Sequence, residues 1–276
     1  MASDKRHTDY HLGNTDAEHE RLIRQAIRLA PVTERFLREA GIGSGQQVLD
    51  LGAGVGDVAM LVARIVGPSG KVVAIERDAR TINRARIRAA EAGLDNIDFV
   101  PADIAEYSTD SMFDAAVGRY ILQFLPDPAA TLRSVAKRIR PGGVVAFQEG
   151  SWIPFLSLSA QVPLWYACVS LLHQAGARSG VNLEMGTDLH KAFQEAGLPA
   201  PHMRLEMELA SDPDFTRWVS DSLRSVLPQI QKFNLSTDAL GDLDTLQERL
   251  QNEVAMSNTV VPWIGLVAAW CRKPAN

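Results

Sequence analysis

The segment that most limits the fold of this chain is Val48-Leu49-Asp50-Leu51-Gly52-Ala53-Gly54-Val55-Gly56-Asp57. A short apolar run leads into three glycines separated by single residues, and a stretch of helical period begins at Asp57. Glycine tolerates positive φ and lets the backbone approach a ligand that a side chain would keep away. The segment therefore reads as a strand, a tight turn and a helix N-terminus, the unit from which open α/β sheets are assembled.

The pattern recurs as far as Glu149. Strands are predicted at 47–51, 71–76, 97–101, 113–118 and 144–149. Helices are predicted at 57–66, 79–92 and 129–138, the last stopped by Pro141-Gly142-Gly143. Continuous apolar strands alternating with amphipathic helices point to a parallel sheet covered on both faces. Upstream, Thr15 and Glu18 have the spacing of a capping box, and a helix is expected as far as Pro31, where a second one through Ala40 can begin. Downstream, 151–180 is rich in Trp, Phe and Leu, with a helix around 163–174. A helix at 187–196, a strand at 202–209, a mostly helical insertion over 213–258 and a closing strand at 260–271 follow. The expected division is a helical cap in 1–45, an α/β core in 46–150, and substrate-facing helical insertions with the closing strands of the same domain in 151–276.

Composition removes several functions. The chain has 276 residues and a formal net charge of −5, with no long basic run, so it would oppose a nucleic-acid backbone. Cys168 and Cys271 are its only cysteines and are too far apart for a ligand cluster, so no metal is expected. No apolar run approaches the roughly 18 residues of a membrane helix, and the polar start does not resemble a secretory signal. A cytoplasmic protein without a membrane partner is expected. Nothing in the sequence indicates an oligomeric state.

In a doubly wound sheet, ligands bind beyond the carboxyl ends of the strands where the strand order reverses, which directs attention to the glycine turn. Two details bear on the ligand. The dinucleotide fingerprint is Gly-x-Gly-x-x-Gly, whereas Gly52, Gly54 and Gly56 alternate. Asp50, aimed at a helix N-terminus, would repel a pyrophosphate but could orient a cationic amino-acid moiety. Glu76, about 20 residues past the last glycine, has the spacing of a ribose contact, and a carboxylate accepts two hydrogen bonds at once. Asp103 and Ile104, after the third strand, could meet an adenine amino group and ring.

The series VLDLGAGVGD, VVAIERD, FVPADI, FDAAVGRYILQF and RIRPGG resembles the motifs of class I S-adenosylmethionine-dependent methyltransferases over about residues 46 to 149. Tyr10-His11-Leu12-Gly13 with Glu18, Arg21, Leu22 and Gln25 resembles the N-terminal cap of bacterial small-molecule methyltransferases. The resemblance implies a Rossmann-like seven-stranded sheet of order 3-2-1-4-5-7-6 with its last strand antiparallel. It also implies S-adenosyl-L-methionine as cofactor. Gly52 and Gly54 would lie against that cofactor, Glu76 on its ribose, Asp103 and Ile104 on its adenine, and Arg119 near its methionine end, with Tyr10, Gln25 and Arg77 as further contacts.

The expected activity is metal-independent, in-line methyl transfer to an O, N or C atom of a small, apolar or aromatic molecule. No Asn/Asp-Pro-Pro-Tyr arrangement follows the fourth strand, no carboxylate stands there to hold magnesium, and thiols are too few for arsenite chemistry. Candidates on the acceptor side are His11 and Tyr10 on the cap, Tyr120 after the fourth strand, and Glu149 with Trp152 after the fifth. Glu149 could equally bind a backbone amide. Trp152, Phe155, Trp165 and Tyr166 could line a pocket or simply form core. The alternatives are a nicotinamide-dependent oxidoreductase and a non-catalytic binding protein on the same fold.

Overall fold

A computed structural model describes residues 15–275. Seven strands form one sheet: β1 Gln47–Leu51, β2 Lys71–Glu76, β3 Ile97–Pro101, β4 Phe113–Arg119, β5 Ile139–Ser151, β6 His202–Glu206 and β7 Gly265–Arg272. With the strands of a separate two-residue ribbon left unnumbered, the order is β3-β2-β1-β4-β5-β7-β6. The first five strands pair in parallel, and β7 runs antiparallel between β5 and β6. The expected order of 3-2-1-4-5-7-6 is the order found. It reverses between β1 and β4, so the crevice opens at the carboxyl ends of those strands.

Alternation along the strands divides the core. Val48, Val72, Ala74, Ala115, Val117, Val144 and Ala146 face α1 (Asp16–Ala40), α2 (Asp57–Val66) and α3 (Ala79–Glu91). Their neighbours Leu49, Leu51, Ile75, Ala116, Val145 and Phe147 face α4 (Pro128–Ala136) and α7 (Met185–Glu195). Side chains two apart share a face, so both halves of each strand are buried. A third core is built by α5 (Trp152–Ser159), α6 (Pro163–Arg178), α8 (Pro213–Lys232) and α9 (Leu246–Met256).

The structure differs from the sequence-based expectation in four places. The cap is one helix, not two: Pro31 lies inside α1, which runs from a Thr15 cap (Glu18 N to Thr15 Oγ1, 3.2 Å) to Gly41. Proline removes one helical donor, but Leu29, Thr33, Phe36 and Leu37 are buried on either side and hold the axis. Second, Pro141-Gly142-Gly143 does not precede β5 but lies within it, in the bulge where the partner register jumps from Phe113/Ile139 to Ala115/Val144. Third, 152–159 is a helix, α5, which the apolar sequence alone did not distinguish. Its N-terminus is capped from elsewhere: Glu184 Oε1 accepts from Trp152 N and Ile153 N, each at 2.8 Å, and Glu184 Oε2 accepts from Ser151 Oγ at 2.6 Å.

Fourth, the expected strands at 202–209 and 260–271 are each broken. Leu209–Ala210 and Val261–Pro262 leave the sheet and pair with each other. Pro262 lacks the amide that a continuous ladder requires. The break turns the next residue, Trp263, inward, where it is 2% exposed.

Candidate active site

Gly52, Gly54 and Gly56 all have positive φ. A Cβ on Gly52 would stand 2.5 Å from Ile121 Cδ1, whereas a Cβ on Gly54 would meet nothing within 4 Å among the described residues. The turn thus packs on one side and borders open space at Gly54. Gly54 N donates to Glu76 Oε2 at 3.1 Å, and Asp78 N donates to Glu76 Oε1 at 3.0 Å. Glu76 is therefore a held acceptor at the end of β2 rather than a solvated strand end. Asp103 Oδ1 accepts from Ala105 N at 2.8 Å, and Ile104 packs against the lower core. Arg77 is exposed on the turn after β2.

Asp50 lies at the base of the turn, 1% exposed, and its Oδ2 has no hydrogen-bond partner among the described residues. Burial pushes its carboxyl up to about 8; Arg119 pulls it down, Glu76 pushes it further up, and the Ala59 amide lowers it. Asp57 is better compensated, since Arg88 pairs with it at 2.7 Å, although burial still raises it. Arg119 Nη1 donates to Thr33 Oγ1 at 3.0 Å, and Thr33 Oγ1 donates to Gln148 Oε1 at 2.8 Å. Burial lowers the Arg119 pKa, and the nearby Asp57 partly restores it. The site is a buried acid with an unused oxygen beside an arginine anchored on α1.

The acceptor-side residues form a second group. Tyr120, at the end of β4, has φ +55, a left-handed conformation rare for a bulky residue. Its amide donates to Gln148 O at 2.9 Å. The turn is held by Glu149, whose Oε1 accepts from Ile121 N at 2.9 Å and Leu122 N at 2.8 Å. Glu149 does bind backbone amides, yet its Oε2 has no partner. Burial pushes Glu149 up to about 7 against the pull of these amides. Burial likewise pushes the Tyr120 phenol up to about 12.

Tyr120 packs against a cluster rich in aromatic side chains. Trp152 meets Phe155, Phe155 meets Trp218, and Trp218 lies 4.2 Å from Trp263 between ring centroids. Trp165 is fully buried core in the same cluster, and Tyr166 is 43% exposed. The wall toward α1 is polar. Arg21 makes a bidentate pair with Glu18 at 2.7 and 2.6 Å, and Ser225 Oγ donates to Glu18 Oε2. Gln25 Oε1 accepts from Arg21 Nη1 at 2.8 Å and Trp218 Nε1 at 3.1 Å, which places Gln25 in the α1–α8 contact. Tyr10 and His11 lie outside the described residues.

Trp218, Trp263, Thr33 and Gln148 escaped the sequence reading. Only Gln148, beside Glu149 at a strand end, carried a usable signal. The others come together through helix packing and through the break before β7.

Residues 42–197 match the family model described as a methyltransferase domain. The chain belongs to that family. A protein from Thermoplasma volcanium carrying the name "Probable cobalt-precorrin-6B C(15)-methyltransferase (decarboxylating)" is 36% identical over 121 residues, 42% of this chain and 58% of that protein. The ubiquinone/menaquinone biosynthesis C-methyltransferase UbiE of Pseudomonas putida is 34% identical over 121 residues, 43% of this chain and 47% of that protein. The match thus spans only about half the length of these curated relatives. A SAM-dependent methyltransferase from Geobacter sulfurreducens, solved with S-adenosylhomocysteine, shares the fold at a TM-score of 0.54 and 19% identity, covering 89% of this chain and 91% of that one. Among the described residues, no cluster of His, Cys, Asp and Glu could hold a metal, and no helix is long and apolar enough to cross a membrane.

Proposed function

We propose that this chain binds S-adenosyl-L-methionine over the Gly52–Gly56 turn and catalyses metal-independent methyl transfer to an O, N or C atom of a small organic molecule. The observation that carries the reading is the unpartnered, buried Oδ2 of Asp50 beside the open space at Gly54, with Glu76 holding the turn from β2. A buried carboxylate oxygen is costly without a donor, and an ammonium is the donor this site lacks. Glu76 retains lone pairs for ribose hydroxyls, and Asp103 with Ile104 suits the adenine end. Arg77, Tyr10 and Gln25 stay in the proposal as outer contacts, with Gln25 acting from the α1–α8 contact. The residues fit the cofactor, and family membership and the names of the relatives point the same way.

Bound there, the cofactor supplies a methyl group on a cationic sulfur. The chain's own residues supply position and dryness: fixing two reactants in line can account for about 7–11 kcal/mol of a barrier. Arg119, tied to Thr33, balances Asp50 so that the acid can be charged when a cation is present. Glu149 Oε2, with the carboxyl raised to about 7, can take a proton from an acceptor near neutral pH. Tyr120 stays protonated and donates. His11 remains a second candidate base. The acceptor we infer is apolar or aromatic, given the ring-lined wall, and two unpaired, buried cysteines are in keeping with a cytoplasmic protein.

Calorimetric titration with S-adenosylhomocysteine and with NAD tests the reading. Binding of the first without the second is expected; the reverse would overturn it in favour of an oxidoreductase. Binding without turnover over a broad acceptor panel would favour a non-catalytic role.

A further inference from the structure

Among the described residues, three buried polar atoms near the end of β4 have no hydrogen-bond partner: Tyr120 Oη, Trp263 Nε1 and Glu149 Oε2. Nearly all buried polar groups in folded proteins are paired, so three orphans in one region call for an explanation. Tyr120 packs against the apolar cluster that contains Trp263, and the indole favours the ionised phenol, but the two polar atoms do not meet hydrogen-bond geometry. Glu149 also acts on the phenol, pushing it toward its neutral form. The Tyr120 ring is held over Gly150, where a Cβ would stand 3.5 Å from Tyr120 Cε1 and 3.3 Å from Ile264 Cγ2. Trp263 is fixed from the other side by Trp218 and by its own amide, which donates to Glu208 O at 2.8 Å.

The two groups differ in what they can offer. An indole N–H only donates, and a phenol kept neutral donates readily. Two donors brought together at one end of an aromatic-walled region suit an oxygen that accepts two hydrogen bonds, with planar apolar surface behind it. We propose that Trp263 Nε1–H and Tyr120 Oη–H form a donor pair that selects methyl acceptors carrying a carbonyl or phenolic oxygen on a planar apolar frame. This rests on the methyltransferase reading for the identity of the ligand as an acceptor. Tyr120 lies within residues 42–197, the segment that matches the family model, and Trp263 lies outside it, so the second donor of the pair comes from this chain's closing region. α5 packs Trp152 and Phe155 into the same apolar cluster as Tyr120 and Trp263, and exposes Ile153 and Leu158 to solvent.

Equilibrium dialysis with 1-naphthol and naphthalene, with and without S-adenosylhomocysteine, separates the possibilities. Wild type is expected to hold 1-naphthol roughly tenfold more tightly than naphthalene, the size of one well-made hydrogen bond to an otherwise orphaned donor. Trp263→Phe and Tyr120→Phe should each cut that preference severalfold, and Trp263→Phe should leave naphthalene and S-adenosylhomocysteine affinity unchanged. Circular dichroism establishes that each variant folds, and either variant alone suffices. Equal retention of both probes by wild type, retention of neither, or a preference that survives in the folded variants overturns the donor pair. Loss of S-adenosylhomocysteine binding with the oxygen preference intact would instead overturn the cofactor reading and leave the pair standing.

Discussion

Gly54 and Glu76, 22 positions apart in sequence, are joined by a hydrogen bond of 3.1 Å from the Gly54 amide to Glu76 Oε2. The turn after β1 and the acid after β2 therefore form one structure, and a change in either is felt by both. Glu76→Ala is expected to weaken S-adenosylhomocysteine binding by at least roughly tenfold, since two ribose hydrogen bonds are lost. It should also cost about 1 kcal/mol of stability from the freed Gly54 amide, a fall of roughly 2–4 °C in Tm. Calorimetry and a melting curve check both; an unchanged affinity would remove Glu76 from the site.

The glycines of the turn separate by what surrounds them. Gly54→Ala meets no neighbouring atom, so its structural cost is the strain of φ +54, about 1–2 kcal/mol. Its methyl group enters the space assigned to the cofactor, and S-adenosylhomocysteine binding should fall far more than stability. Gly52→Ala drives into Ile121 and adds steric to backbone strain, so the order of stability should be wild type, Gly54→Ala, Gly52→Ala. Urea titration measures that order. Equal affinities of wild type and Gly54→Ala for S-adenosylhomocysteine would show that the space belongs to something else.

Much of this was legible in the sequence, because an α/β core is written in local periodicity. The five parallel strands fall where apolar runs do, and Asp50 and Glu76 are placed by being the last polar residues of those runs and Asp103 by following the third. What was not legible depended on partners distant in sequence. Pro31 reads as a boundary until burial of Leu29 and Phe36 is known. Residues 152–159 carry no cap of their own, because Glu184 supplies it. Trp263 reads as one more apolar residue in a closing strand until the ladder breaks at Pro262. The role of Glu149 came out divided, with one oxygen bound to backbone amides as in the plainer reading and the other left over.

Of the three acids that burial raises, Glu149 and Asp50 are shifted furthest and set a pH dependence, which Asp57 follows in direction. Glu149 is raised from 4.5 to about 7 and Asp50 from 3.8 to about 8. In the unfolded chain both have lost their protons by about pH 5–6, while the folded chain still holds them. The folded state therefore binds more protons across this interval, and stability falls as pH rises from about 4 to about 8, then levels. The contribution of these groups is fully present below the unfolded values. Glu149→Gln should flatten the part of the slope below about pH 7, and saturating S-adenosylhomocysteine should flatten the Asp50 part by supplying a cation. Urea unfolding midpoints from about pH 5 to about pH 8 read this directly. A Glu149→Gln curve parallel to wild type would mean that Glu149 is already ionised and would weaken it as a base.

Glu184 offers a test in which structure and cofactor binding come apart. Its carboxylate accepts from Trp152 N, Ile153 N and Ser151 Oγ, and Ser151, the N-cap residue of α5, makes no side-chain cap of its own. A carboxylate at a helix N-terminus meets both the unpaired amides and the positive end of the helix dipole. Glu184→Ala should therefore cost about 1–2 kcal/mol. Amide exchange should quicken at Trp152 and Ile153, while α2 and the glycine turn stay protected. His173, whose ring lies 5.8 Å from Trp152, adds a second readout: burial lowers its pKa and Glu184 partly raises it, so the variant should titrate lower still by NMR. S-adenosylhomocysteine affinity should not move, because Glu184 touches only the wall of the aromatic region. Unchanged exchange at Trp152 and Ile153 would mean that α5 is held by Trp152 and Phe155 packing alone, and that the wall does not depend on its cap.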